Sequence, residues 1–488
     1  MTLLLLLPLL APLAAAALTA ALGWRRLTAW AVVAAAATIL ASGITLGIRI
    51  CSAPRFALGQ LLRADALSAT MLIVIGAVAT LSCWASIGYL DAELAAGHTT
   101  KRRARLYGVL VAVFLAAMSL AVLANNLGVV WVAIEATTVA TAFLVGHRGT
   151  RTALEATWKY VIICSVGIAF AFLGTVLLYF AARHAGAGSS ALDIDTLRAH
   201  AAHLDRGVTR LASGLLLVGY GTKTGLVPFH TWLADAHSQA PAPVSALMSG
   251  VLLSVAFSAL LRVKSIVDIS LGPGFLRTGL LIVGLATVLI AASLLVGQQD
   301  LKRMLAYSSM ENMGLIAIAA AAGTRLAISA LLLHVLAHGV AKTVLFLSAG
   351  QLQYAHGSTR IRDIAAVLSR SRLIGTAFVI GTLVVLGLPP FAMFASELSI
   401  ARGLADAHLG WALVMALLFL VVAFAALVAN TARLLLGPAS DGAPEIAASA
   451  SVSGALIVGI AACAALGVAA EPLNHLLRLA ATALGAGG

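Results

Sequence analysis

The chain has 488 residues, 61% of them hydrophobic and only 10% charged, with a formal net charge of +13. That balance excludes a water-soluble globular protein and points to a polytopic membrane protein. So basic a soluble chain would suggest nucleic acid; here the basic residues lie mainly between apolar runs, where they set topology, so anionic lipid headgroups are the expected partners and nucleic acid is not.

Apolar stretches of about 20 residues, each able to cross a hydrocarbon core of roughly 30 Å as a helix, recur from end to end. We place spans near 2–22, 28–48, 65–89, 105–123, 127–146, 157–182, 210–227, 242–262, 277–298, 304–322, 326–350, 372–404, 409–434 and 449–470. The expected fold is therefore all-α with about fourteen transmembrane helices, and the strand alternation of a membrane barrel is absent. The opening Met1-Thr-Leu-Leu-Leu-Leu-Leu-Pro lacks a basic n-region and runs into Trp24-Arg25-Arg26 and another span, so it reads as the first transmembrane helix and not as a removed leader. With the N-terminus outside, the cytoplasmic loops hold Arg25-Arg26, Lys101-Arg102-Arg103 with Arg105, Arg148 with Arg151, Lys302-Arg303 and Arg360/Arg362/Arg370/Arg372. Arg198, Arg206 and Arg210 fall in the long outer loop 183–209, which is a weak determinant of orientation. The expected location is the cell inner (plasma) membrane.

Two spans are interrupted, one at Gly225-Leu-Val-Pro228 and one at Gly387-Leu-Pro-Pro-Phe391. Proline removes an amide donor and clashes with the preceding turn, so the hinges are Gly225, Pro228, Pro389 and Pro390. Breaks at matching places in two halves point to an inverted-repeat transporter and its binding site. They lie in the seventh and twelfth spans, which suits helices 1–3 over 1–104, a first five-helix repeat over 105–262, a second over 277–434, and a last helix with a short tail over 449–488.

An ammonium at mid-bilayer costs roughly 2.5–3.5 kcal/mol on insertion scales, so intramembrane charges are functional candidates by default. Of the six lysines, Lys101, Lys159 and Lys264 fall at expected loops or helix ends and read as snorkelling side chains. Lys223 and Lys342 sit well inside apolar runs, and Lys302 starts a helix as either an interfacial anchor or a channel mouth. Glu135 lies in an apolar stretch; a Glu135–Lys223 pair would retain the lysine's proton when closed and favour its release when opened. Glu311 is one of few acids at membrane depth, and its alternative is a protonated structural carboxyl.

His230, Asp235 and His237 occupy the connection after the first break, where they either pass protons from the cytoplasmic surface to Lys223 or form a solvated loop. His334, His338 and Lys342 follow at intervals of four and share one helix face over about 12 Å of rise. Imidazole can take a proton on one nitrogen and release one from the other, so this face suits a proton relay. No Glu follows His334, as a metalloprotease helix would require, and no metal site is assigned. Glu397, shortly after the second break, occupies in that span a role like that of Lys223, just before the break, in the first. Cys51, Cys83, Cys164 and Cys463 stand singly on apolar segments and read as small packing residues.

The stretches Thr222–Gly250, Asp300–Ser309 and His334–Lys342 resemble the family of antiporter-like subunits shared by respiratory complex I, membrane-bound hydrogenases and multisubunit cation/proton antiporters. With the hydrophobic pattern, the resemblance covers about 30–470, and Gly219–Pro228 and Ser308–Gly314 are most similar to the hydrogenase 4 component F branch. It implies fourteen helices, two inverted repeats and a proton path in which Glu135 and Lys223 form the first half-channel pair, His334, His338 and Lys342 the central relay, and Glu397 the terminal acid. Two departures stand out. Ser254 lies in the eighth span where the family often has a lysine, and the chain has a short tail in place of the long lateral helix of the distal complex I subunit.

The resulting expectation is a proton-translocating subunit of a larger redox complex of the NADH-quinone or hydrogenase type, with other membrane subunits as partners and no cofactor or catalytic residue of its own. The alternatives are a member of an Mrp-like Na⁺/H⁺ antiporter and an energy-coupling membrane component of an inorganic-carbon uptake system.

Overall fold

The computed structural model describes residues 2–50, 53–438 and 446–487. Its helices are α1 (Thr2–Leu22), α2 (Arg26–Arg49), α3 (Ala66–Ala95), α4 (Lys101–Leu123), α5 (Leu127–Val145), α6 (Arg151–His184), α7 (Ile194–His200), α8 (Arg206–Thr224), α9 (Trp232–Gln239) and α10 (Ala242–Leu247). After a π-helical turn, Met248–Leu252, come α11 (Leu253–Leu271), α12 (Gly274–Val296), α13 (Leu301–Ala322), α14 (Arg325–His356), α15 (Val367–Arg370), α16 (Arg372–Val385), α17 (Ala392–Asp406), α18 (Gly410–Leu436), α19 (Ala450–Val468) and α20 (Glu471–Ala483). A two-stranded antiparallel hairpin, β1 (Arg55–Ala57) and β2 (Leu62–Ala64), departs from the all-helical expectation.

Eleven helical stretches among the described residues are long and apolar enough to cross a membrane. Three expected spans fall short for a chemical reason. α8 and α13 carry Lys223, Lys302, Arg303 and Glu311, which lower their hydropathy, and the span expected at 372–404 is divided into α16 and α17. Lys223, Lys302 and Glu311, which help to weaken these helices as membrane segments, are among the residues singled out for chemistry.

Both expected breaks are present. α8 stops at Thr224 because Gly225 takes the left-handed conformation, φ +83°, and its amide and that of Leu226 fold back onto Thr222 and Gly221. α16 stops before Gly387, φ +63°, and α17 starts after Pro389-Pro390; both breaks contain a cis X-Pro bond.

Three parts of the fold differ from the expectation. The eighth span runs on to Leu271, so Lys264 is a buried helical residue beside Asp268 and not a snorkelling end. The long loop 183–209 contains α7, and the short tail forms α20, which packs beside α3 and α14 with Leu476 against Gly47 and the Leu477 carbonyl accepting from Ser329. One end of the bundle gathers β1–β2, α7, the end of α11, the start of α14 and the tail; it is called the hairpin end below.

Close backbone approach positions the core. A Cβ at Gly219 of α8 would lie 2.5 Å from the Ala171 amide of α6, and one at Gly250 in the π turn 2.9 Å from the Gly339 carbonyl of α14. Glycine therefore lets α6 carry Tyr160 to Lys223 and lets the π turn cross α14 between His338 and Lys342. Cys83, Cys164 and Cys463 are buried and free, in keeping with packing roles, while Cys51 lies outside the described residues.

Candidate functional site

Lys223 occupies the last turn of α8 and is fully buried. Its Nζ donates to Thr138 Oγ1 at 2.9 Å and to the Tyr160 hydroxyl at 2.5 Å, and it sits 4.7 Å from the Tyr160 ring centroid. Tyr160 is held in turn by Thr141 at 2.6 Å. The carbonyl of Thr222, which already accepts from the Gly225 amide, also accepts from Trp232 Nε1 at 2.9 Å. Glu135, three residues before Thr138 on α5, forms no ion pair with Lys223, and its buried Oε2 has no partner among the described residues. The pair that the sequence suggested is thus open in this structure, with hydroxyls holding the ammonium.

Lys342 is likewise fully buried and carries no carboxylate contact among the described residues. It donates to the Leu305 carbonyl at 3.0 Å and to the Ser308 hydroxyl, both on α13. Lys302, which the sequence left between anchor and channel mouth, is also fully buried and donates to the Ala240 carbonyl at 2.6 Å. An anchor would keep its ammonium at the interface. The first turn of α13 therefore reaches across to the connection that follows the first break, joining the two halves of the chain.

His334 and His338 stack with ring centroids 6.5 Å apart and planes 10° from parallel. His334 Nε2 lies 2.8 Å from Asn312 Oδ1, and because Asn312 Nδ2 donates to the Ser308 carbonyl, that oxygen is the acceptor and Nε2 the donor. Nδ1 faces Ser396 Oγ at 3.0 Å, and Ser396 can turn its proton to the Met393 carbonyl at 2.8 Å. With the serine proton aimed at Nδ1 the imidazole is neutral; with it aimed at Met393, Oγ can accept from a protonated Nδ1. Both protonation states of His334 are thereby satisfied. Neither ring nitrogen of buried His338 has a protein partner among the described residues.

Glu397, next to Ser396, places its carboxylate against Gly387, where a Cβ would come within 2.1 Å of Oε2. Glu397 and Glu311 line one cavity of about 160 Å³ whose other walls include Val385, Leu386 and Phe424. The second break thus presents an acid to a small cavity, as the first presents a lysine to hydroxyls.

The connection after the first break divides. Asp235 is bound in an ion cluster with Arg303 and with Lys159, whose Nζ lies at 3.1 Å and also meets Glu155 at 2.6 Å. His230 is half-buried, and its Nδ1 has no partner among the described residues. His237 is fully buried; its Nδ1 donates to the Leu233 carbonyl at 2.7 Å, which leaves Nε2 an acceptor without a partner among the described residues. Rings of Tyr160, Trp232, His237 and Phe346 follow one another at 5.0, 6.2 and 5.8 Å, so His237 stands between the Lys223 partner and the Lys342 helix.

Several partners escaped sequence reasoning. Thr138, Tyr160, Ser308, Asn312 and Ser396 look like ordinary helix residues, and only their distance from a buried base singles them out. Ser249 pairs with Ser309 at 2.6 Å, whereas Ser254, also in the eighth span, has a buried hydroxyl without a partner among the described residues. At the hairpin end Arg262 grips Asp65 through two nitrogens at 2.9 and 3.0 Å, and Arg63 binds both Asp65 and Asp195. Burial would raise the Asp65 pKa, but Arg262 and then Arg63 outweigh it and hold the carboxyl well below its ordinary range.

Residues 124–424 match the family described as NADH:quinone oxidoreductase/Mrp antiporter, TM. The chain is 38% identical over 342 residues to the hydrogenase-4 component F homolog of Methylacidiphilum infernorum, covering 70% of this chain and 71% of that protein. It is 33% identical over 280 residues to NADH-quinone oxidoreductase subunit N of Desulforudis audaxviator, covering 57% of this chain but 54% of that one, so it matches about half of that relative's length. Among solved structures, a chain of the archaeal membrane-bound sulfane sulfur reductase superposes with TM-score 0.88 at 22% identity, covering 99% of this chain and 98% of that chain. A chain of the Mrp complex from Dietzia sp. superposes with TM-score 0.86 at 21% identity over the same shares, 99% and 98%. Both likenesses show the fold and are to chains within multi-subunit membrane complexes. This multi-pass membrane protein belongs to the NADH:quinone oxidoreductase/Mrp antiporter family, as an antiporter-like subunit of the complex I and hydrogenase-4 type.

Proposed function

We propose that the chain moves protons through the membrane along Lys223, His237, Lys302, Lys342, His338, His334 and Glu397, as one subunit of a redox-driven complex in the plasma membrane. The observation that carries this reading is the burial of three lysines, Lys223, Lys302 and Lys342, each held by hydroxyls or carbonyls with no carboxylate within 4.0 Å among the described residues. Packing alone does not favour such sites, since an unpaired ammonium is costly to bury. A group that must exchange a proton needs partners that tolerate both of its states, and neutral oxygens do so better than a fixed carboxylate.

The same reading takes the chain as fourteen spans in two inverted five-helix repeats, 105–262 and 277–434, each supplying one broken helix and one end of the path. Glu135 serves as a movable counter-charge for Lys223, and Glu311 and Glu397 as the acids of the second half. Asp235, fixed between Arg303 and Lys159, organises the approach to His230 and His237. The redox partner subunits are those that the names of the relatives suggest, of NADH-quinone or hydrogenase type.

The test is Lys223→Ala in the intact complex reconstituted into vesicles, read as proton uptake per turnover. The expected result is a fall of at least roughly tenfold, the loss of one proton-transfer group. Unchanged uptake would overturn the reading, and uptake that is abolished by removing Na⁺ while Lys223→Ala is neutral would select an Mrp-like Na⁺ role instead.

A further inference from the structure

A cavity of about 530 Å³ opens at the hairpin end, away from the lysine and histidine axis. Its walls bring Arg198, Lys264, Arg277 and His408 together around one carboxylate, Asp268, with Thr324 at the start of α14. Each cation has donors to spare. Arg198 spends one N–H on the Ala483 carbonyl, Arg277 one on the Ala407 carbonyl, and Lys264 one on Asp268, while a guanidinium has five and an ammonium three. Asp268 uses Oδ2 on Lys264, and its buried Oδ1 has no partner among the described residues. The site thus offers converging donors for an anion and, beside them, one acceptor that still needs a donor.

We infer that this cavity binds the headgroup of a phospholipid that carries a phosphate and a neighbouring amine, the phosphate taken by Arg198, Arg277 and Lys264 and the ammonium by Asp268 Oδ1. Charge-assisted bonds to phosphate oxygens are the strong ones, and guanidinium supplies them with fixed geometry. A phosphate alone would answer the cations but leave Asp268 Oδ1 bare. A lipid is favoured over a soluble phosphate ester because the cavity lies where helices end, and its rim is apolar: Ile269 in the wall is 47% exposed, and Phe275, two residues after the lining Pro273, is 37% exposed. These side chains give acyl chains a surface next to the polar seat. The volume falls within the range of ordinary small-ligand sites.

The experiment uses the full-length protein, delipidated in detergent and read by native mass spectrometry after adding back one lipid at a time. Phosphatidylethanolamine and phosphatidylcholine have the same phosphate, but the choline ammonium has no N–H to give Asp268. The expected result is a one-to-one ethanolamine-lipid adduct retained roughly tenfold better than the choline lipid, the weight of one charge-assisted hydrogen bond. Asp268→Ala is expected to erase that preference, and Arg277→Gln to weaken both lipids. Arg277 is only partly buried, and the comparison of two lipids on wild-type protein needs no variant at all. Equal retention of the two lipids by wild-type protein, or retention unchanged in both variants, would overturn the proposal. Inorganic phosphate that displaces the ethanolamine lipid at equal concentration would also overturn it, in favour of a soluble anion.

Discussion

A lysine kept inside a bundle without a counter-ion is stable only if neutral oxygens replace its water, and Lys223 shows how few are needed. Two hydroxyls hold it, those of Thr138 and Tyr160. Tyr160→Phe keeps the ring and deletes the 2.5 Å bond, so proton uptake by the complex is expected to slow several-fold to roughly tenfold, the rate equivalent of about 1 kcal/mol, with the fold intact. The two histidines separate structure from transport. His334→Leu strands Asn312 Oδ1 and removes the partner of Ser396, and is expected to cost about 1–3 kcal/mol in thermal unfolding as well as proton transfer. His338 makes no protein hydrogen bond among the described residues, so His338→Leu is expected to change stability by less than about 1 kcal/mol while still cutting proton uptake. Equal destabilisation by both would show that the relay face is packing and not path.

At the level of elements, the breaks are built by glycine and filled by charge. Gly387 combines a left-handed backbone with a Cβ position already occupied by the Glu397 carboxylate. Gly387→Ala is therefore expected to lose about 1–2 kcal/mol from the backbone alone and to displace Glu397, which a fall in both melting temperature and proton uptake would report. Gly214, inside α8, has nothing within 4 Å of a Cβ, so Gly214→Ala is expected to stabilise by about 0.5–1 kcal/mol and leave transport unchanged. Both breaks were legible in the sequence because Gly and Pro act on their own backbone. The π turn at Met248–Leu252 was not, since nothing in Met-Ser-Gly-Val-Leu demands it, and it arises where Gly250 meets Gly339 from a distant helix. α20 and the hairpin also escaped, being short elements fixed by what they pack against.

Across the whole molecule, the buried cluster of Asp65, Arg63 and Arg262 ties the hairpin and α3 to the end of α11, and Asp195 extends it to α7. The Asp65 carboxyl is held below its ordinary range, so it binds fewer protons in the folded than in the unfolded state. Its contribution is thus fully present above the unfolded value of about 4 and is lost as pH falls below it. Asp65→Asn leaves Arg262 buried without its counter-charge and is expected to cost about 3–5 kcal/mol and to flatten the acid limb of the melting-temperature profile. An unaltered acid limb would show that the cluster does not link the hairpin end to stability.

The class of the protein, the two interrupted helices, and Lys223, Lys342, His334, His338 and Glu397 as candidate sites could be read from the residues alone, because charge, hydropathy and glycine or proline act locally and need no partner to be recognised. The sequence could not decide that Glu135 stands apart from Lys223, that Lys302 is sealed against Ala240, or that Asp235 is bound by Arg303. Those outcomes depend on which helices, far apart in the chain, are brought within hydrogen-bonding distance. That is a property of packing, and only the tertiary structure supplies it.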